Sequence, residues 1–227
     1  MQTDWTIYSA LLGAAVVMML PREARGLIRT VALLTGLVGL AVALVDYFHY
    51  DRIVHTLIAE TGSGMVWLRD RPWIDALHSR YHLAVDGISL PLVLLMAILG
   101  FLVVLISWKV HLRVKEYFAW VLLLETSILG VFASLDLLLF FLFWEIEIVP
   151  MYFLISIWGT GRRTYSAMKY VIFTLFGSAF MLAGILALYF TTGSLNMLEI
   201  ARSGMGAFTA AIPVAAIFFL LIIGFAI

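Results

Sequence analysis

Leu137-Leu-Leu-Phe-Phe-Leu-Phe-Trp144-Glu145-Ile-Glu147-Ile-Val-Pro150-Met-Tyr-Phe-Leu-Ile-Ser-Ile157 is a nearly unbroken apolar run. A helix needs about 20 such residues to cross a hydrocarbon layer about 30 Å thick, because each residue advances it about 1.5 Å. The run therefore predicts a membrane-spanning helix, and two carboxylates stand inside it. A charged side chain at the bilayer centre costs about 2.5–3.5 kcal/mol on insertion scales, so such a residue is a functional candidate by default. Pro150 has no backbone N–H and leaves the carbonyl of Ile146 without its usual donor, a local defect beside both carboxylates.

Six further apolar stretches flank this one: approximately Trp5–Leu20, Leu27–Val45, Ile88–Trp108, Tyr117–Leu135, Met168–Phe190 and Ala207–Ile227. With 64% hydrophobic residues and a mean hydropathy of +1.08, the chain reads as an all-α polytopic membrane helix bundle of about seven spanning helices. The connection from Asp46 to Gly87, in which Trp67, Trp73, histidines and charges alternate, is expected to form a folded extramembrane or interfacial loop.

Fourteen basic residues balance fourteen acidic ones, which gives no footprint for a nucleic acid. Cysteine is absent, excluding disulfides and thiolate ligands, and His49, His55, His78, His82 and His111 all fall in polar connections. No cofactor or metal is expected in this chain, and electrons are expected to travel elsewhere. The first connection carries Arg22, Arg25 and Arg29, the third Lys109, Arg113 and Lys115, and the fifth Arg162, Arg163 and Lys169. The positive-inside rule places these on the cytoplasmic side, or its equivalent, and the N-terminus outside. The N-terminus lacks a basic region and a small-residue cleavage site, so the first stretch is expected to be a retained helix. The last stretch stops at Ile227 without a flanking charge, and the chain is expected to be a piece of a longer protein.

Glu145 and Glu147 are two residues apart and so point about 200° from one another. Glu125 interrupts the preceding stretch. Only Ser134-Leu135-Asp136 separates the two stretches, which makes them an antiparallel hairpin with Asp136 either solvated or capping the second helix. Glu125 lies eleven residues before Asp136 and Glu145 nine after it, so their depths differ by about 3 Å. If both faced inward they could approach, and two close carboxylates in low dielectric do not both ionise. Lys169, at the start of the sixth stretch, is open to two readings: a counter-charge to a buried glutamate, or a flanking lysine that snorkels to the headgroups. Gly100, Gly130, Gly177 and Gly184 are expected to permit close helix packing.

The segment from Glu125 through Asp136, Trp144-Glu145-Ile-Glu147-Ile-Val-Pro150-Met-Tyr to Leu154 resembles chain 4 (the M subunit) of proton-pumping NADH:quinone oxidoreductase, the complex I family. Tyr81-His-Leu-Ala-Val-Asp86-Gly-Ile upstream and Trp158-Gly-Thr-Gly-Arg-Arg with Ala167-Met-Lys169-Tyr downstream extend the similarity. The resemblance implies an antiporter-like subunit with about fourteen helices and two inverted five-helix repeats. Residues 1–116 would supply three N-terminal helices and the long loop, and 117–227 an incomplete first repeat. It implies that Glu145, five residues before Pro150, carries the proton, with Glu125 and Lys169 as auxiliary relay groups. The second glutamate occurs in only some branches of the family, including cyanobacterial and chloroplast-type complexes, and Glu147 receives no such role. In the family a lysine follows the Phe-Ala-Ile stretch and tunes the helix-five glutamate; here that position would lie just after Ile227.

The function implied is proton translocation by a membrane subunit of an NADH (or ferredoxin/NADPH):quinone oxidoreductase. Its partners would be other membrane subunits, lipids and protons, with Fe–S clusters, flavin and quinone in other subunits of the complex. The alternative is a subunit of a multisubunit cation/proton antiporter, and a further reading is a structural scaffold with an incidental buried pair.

Overall fold

The computed structural model describes residues 3–61, 64–74, 79–203 and 213–227. The chain runs α1 (Thr3–Met19), α2 (Arg25–Thr61), β1 (Val66–Ile74), β2 (Ser79–Val85), α3 (Ser89–Ile106), α4 (Val114–Ala133), α5 (Leu137–Phe153), α6 (Arg163–Thr192), α7 (Met197–Ser203) and α8 (Val214–Ala226). Among the described residues, five helices have the length and apolarity to cross a membrane, and α1 and α8 contribute two shorter apolar helices. These seven coincide in order with the seven stretches expected, and the all-α membrane bundle stands.

The long connection departs from expectation. α2 does not stop near Val45 but continues to Thr61, so His49 and His55 lie on a helix and not in a loop. At about 1.5 Å per residue it is about 55 Å long, well beyond the hydrocarbon thickness. Asp46, Asp51 and Arg52 end the hydropathy signal, yet no glycine or proline occurs between Gly39 and Gly62 to end the helix. Hydropathy marks where the membrane ends; the absence of breakers marks how far the helix goes. The connection then forms an antiparallel hairpin in which Asp70 pairs with His82 and Pro72 with Arg80.

α1 packs between α2 and α4, α3 closes that group against α2 and α4, and α5 and α6 extend it toward α8. Between hydrocarbon-soluble helices, close packing of small residues replaces the hydrophobic driving force. Accordingly Gly130 receives the ring of Phe143, Gly184 receives Leu221, and Gly224 lies against Met181. Gly177 likewise meets Ile227, so three of the four glycines picked out for packing serve it directly. Gly100 has a different neighbour, a carboxylate.

The three basic connections meet at one end of the bundle. Arg29 donates to the carbonyl of Val110 (2.9 Å), Arg22 pairs with Glu116 (3.8 Å), and the Trp158 indole donates to the carbonyl of Leu112 (2.9 Å). At the opposite end, the Ser134-Leu135-Asp136 turn lies between β2 and the segment before α7. The Leu135 N–H donates to the carbonyl of His82, Met197 donates to Leu135, and Leu137 donates to Leu195, each at 2.9 Å. Asp136 is 1% exposed and not solvated. Its carboxylate caps α5 by accepting from the N–H groups of Leu138 (3.0 Å) and Leu139 (3.1 Å), and it also accepts from Ser79 Oγ and the Arg80 N–H at 3.0 Å. The capping alternative is the one realised, and the cap is shared with the hairpin.

Candidate functional site

Glu145 stands midway along α5. It is half-buried and faces a cavity of about 400 Å³ between α5 and α6, where Ile148, Val149 and Tyr152 meet Met168, Val171 and Leu175. Its Oε1 is buried with no hydrogen-bond partner among the described residues. Pro150 is buried within the same helix, which continues past it and widens into a π-helical segment, Leu154–Trp158. The proline thus leads into a change of winding and not into a break. Such wide turns cluster at functional positions in helices.

Glu125 is 2% exposed on α4, and its Oε2 has no partner among the described residues. Its carboxyl group occupies space left by Gly100 on α3: a Cβ there would stand 2.5 Å from the Glu125 carboxyl carbon. Glu125 lines a second cavity, of about 560 Å³, with Gly100, Val103, Tyr117, Met151 and Trp158.

The two carboxylates do not meet in one cavity, contrary to the approach that similar depth allowed. The reason is helical phase. Phe143 of α5 turns toward α4, where it fills the space beside Gly130. Two residues further on, Glu145 is rotated about 200° from it and so faces away from α4, toward α6. Met151, Leu154 and Ile155, on another face of the same helix and its π extension, line the Glu125 cavity instead. Depth was legible from counting; azimuth depended on which residue α5 presents to α4.

Glu147 is half-buried and does not line the Glu145 cavity, as the 200° offset predicts. Lys169 is exposed, with its ammonium 5.5 Å from the centre of the Phe173 ring, and among the described residues no ion pair joins it to a glutamate. That geometry is the one the flanking reading describes. Thr126, Ser127, Thr174 and Ser178 donate to carbonyls of their own helices and do not extend a chain toward either glutamate.

Two contributors escaped the sequence reading. Gly100 was assigned to helix packing, and only the facing residue reveals it as a carboxylate socket. His82 was counted among polar connections, yet it is 4% exposed with both ring nitrogens lacking partners among the described residues. Burial pushes its pKa below the usual 6.5, partly opposed by Asp70 and Asp136. The apolar run that follows it, Leu83-Ala84-Val85, was the available signal in the sequence. Among the described residues, no group of three His, Cys, Asp or Glu side chains gathers as a metal site.

Residues 134–227 match the family described as NADH:quinone oxidoreductase/Mrp antiporter, transmembrane. The chain is 42% identical over 137 residues to NADH-quinone oxidoreductase subunit M of Rhodobacter capsulatus, an alignment covering 60% of this chain and 26% of that protein. It is 36% identical over 187 residues to NAD(P)H-quinone oxidoreductase chain 4 1 of Synechococcus elongatus, covering 82% of this chain and 34% of the relative. The chain thus spans about a quarter to a third of the length of these relatives. Its fold is shared with a subunit of the membrane-bound sulfane sulfur reductase, an archaeal respiratory membrane complex, at a TM-score of 0.80 and 24% identity, over 99% of this chain and 44% of that one. The matched segment contains the Asp136 cap, Glu145, Pro150 and the whole of α6, so the helix that carries Glu145 and the helix it faces both lie in the part of the chain that is similar to the NADH:quinone oxidoreductase/Mrp antiporter transmembrane family.

Proposed function

We propose that this chain translocates protons as an antiporter-like membrane subunit of a quinone oxidoreductase that takes electrons from NADH, NADPH or ferredoxin. The observation that carries the reading is Glu145: a half-buried carboxylate on a membrane-spanning helix, one oxygen without a hydrogen-bond partner among the described residues, facing a cavity between two helices. Such a group is costly to hold in hydrocarbon, which makes it a functional candidate by default. The two relatives, an NADH-quinone oxidoreductase subunit M and an NAD(P)H-quinone oxidoreductase chain 4, support the oxidoreductase assignment. Redox chemistry would belong to partner subunits carrying flavin, Fe–S clusters and quinone, and this chain would contribute no redox centre. Glu125 is proposed as an auxiliary proton site with its own cavity. For Lys169, the exposed position over Phe173 supports a flanking anchor over a relay group.

The test is Glu145→Gln in the assembled complex, with proton translocation measured in sealed vesicles alongside quinone reduction. Pumping is expected to fall by an order of magnitude or more while assembly persists; unchanged pumping in an assembled complex would overturn the assignment. The family description also covers Mrp antiporters, so a cation/proton antiporter subunit is the second reading. Mass spectrometry of the co-purifying subunits separates the two: peripheral Fe–S subunits support the first, an all-membrane set the second.

A further inference from the structure

The cavity beneath Glu125 has a composition that proton transfer alone does not explain. Its volume of about 560 Å³ falls within the range of small-molecule sites, roughly 300–1,000 Å³. Apart from the Glu125 carboxylate its walls are dominated by apolar and aromatic side chains, among them Met96, Leu99, Val103 and Met151. A buried water needs two to four polar partners, so a space with this lining is a poor reservoir for water.

The aromatic end is equally closed to water. Tyr117 and Trp158 pack edge to face with centroids 5.2 Å apart. The Tyr117 hydroxyl is already bonded to Ser107 Oγ (2.7 Å), and the Trp158 N–H to the Leu112 carbonyl (2.9 Å). What these residues turn to the cavity is ring surface. Tyr117 precedes Glu125 by eight residues on α4, about 12 Å along the axis. The cavity is therefore an elongated apolar slot with one buried carboxylate oxygen, unpartnered among the described residues, toward one end and an aromatic pair toward the other. Leu99 and Val103, both exposed on α3, line its mouth toward the apolar exterior.

We propose that this slot is a binding site for a lipophilic primary amine, whose ammonium donates to Glu125 and whose hydrocarbon tail lies against Val103, Met151, Tyr117 and Trp158. Charge complementarity selects the head group: a lone carboxylate in apolar surroundings is matched by a cationic donor, while a neutral chain would leave it unpaired. Gly100 sets the position of that carboxylate, because any side chain there would displace it. The site does not require that Glu125 carry protons in the transport cycle.

The assay is protection of carboxyl groups from a hydrophobic carbodiimide, read by peptide mass spectrometry in native membranes containing the assembled complex. Decylamine is the probe, decanol the control of equal length, and the α5 carboxylates Glu145 and Glu147 the internal reference. At an amine concentration about ten times its dissociation constant, labelling of Glu125 should fall about tenfold by mass action, with Glu145 and Glu147 unaffected. Decanol should give no protection. Leu99→Trp, which fills the mouth, should abolish protection; if it does not accumulate, Val103→Trp serves, and the amine-against-alcohol comparison in the unaltered protein stands alone. Equal protection by decanol, protection of all three glutamates together, or no protection would overturn the proposal. Because the readout is labelling, its outcome is separate from whether Glu145 or Glu125 variants pump.

Discussion

At the scale of single residues, burial and azimuth matter more than charge type. Gly100→Ala is the sharpest test of the Glu125 socket, since one added methyl meets the carboxyl group itself. We expect carbodiimide reactivity of Glu125 to change several-fold while the remaining carboxylates keep theirs; unchanged reactivity would show that α3 and α4 simply move apart. Lys169→Gln is expected to leave pumping within about twofold of the unaltered complex, because an exposed lysine near a helix end contributes mainly by snorkelling. A loss comparable to that of Glu145→Gln would restore the counter-charge reading. The glutamates themselves were visible in the sequence because a charge within an apolar run is conspicuous. Their separation was not, because it depends on Phe143 taking the α4-facing position.

At the scale of elements, the Asp136 turn holds one end of α5 in place. One carboxylate caps the helix and ties it to β2, and backbone bonds from Leu137 and Met197 complete the clamp. Loss of an N-cap costs about 0.5–2 kcal/mol, and here the buried Ser79 hydroxyl would also lose its acceptor. Asp136→Ala should therefore destabilise the subunit by about 2 kcal/mol or more by these same scales, measured as a lowered thermal midpoint of the detergent-solubilised complex. His82 makes the clamp sensitive to acid. Its folded pKa lies below 6.5, so the unfolded or opened form binds the proton more readily. The stability it permits is complete above pH 6.5 and falls as pH drops from there toward the folded value. The protection factor of the Leu135 amide, its exchange rate corrected for the intrinsic base-catalysed rate, is expected to fall as pH drops from 7.5 to 5.5, and that fall to vanish in His82→Phe. A protection factor that stays constant with pH in the unaltered protein would count against it.

At the scale of the whole molecule, charge and topology agree. The three arginine- and lysine-rich connections meet at one end through Arg29, Arg22 and Trp158, while the hairpin and the Asp136 turn meet at the other. On the positive-inside rule we propose that the hairpin lies outside. Because the chain contains no cysteine, single-cysteine reporters read this directly. Lys115→Cys should react with an impermeant maleimide only from the cytoplasmic side, and Trp73→Cys, exposed on β1, only from the other. The reverse pattern would overturn the proposed orientation. Exposed phenylalanines on α6 and α8, including Phe176, Phe190 and Phe219, leave apolar surface for lipid or neighbouring subunits.

The sequence by itself determined the membrane class, the number and order of the apolar helices, the tight α4–α5 hairpin and the presence of carboxylates at mid-depth. These are local properties: hydropathy, residue spacing and the rise of a helix set them without reference to any neighbour. Tertiary structure alone decided the azimuth of each carboxylate, the Gly100 socket, the burial of His82 and the sharing of Asp136 between cap and hairpin. Those depend on which faces meet, and helix packing in a membrane is chosen by small-residue fit and hydrogen bonding between elements, neither of which a single apolar run encodes.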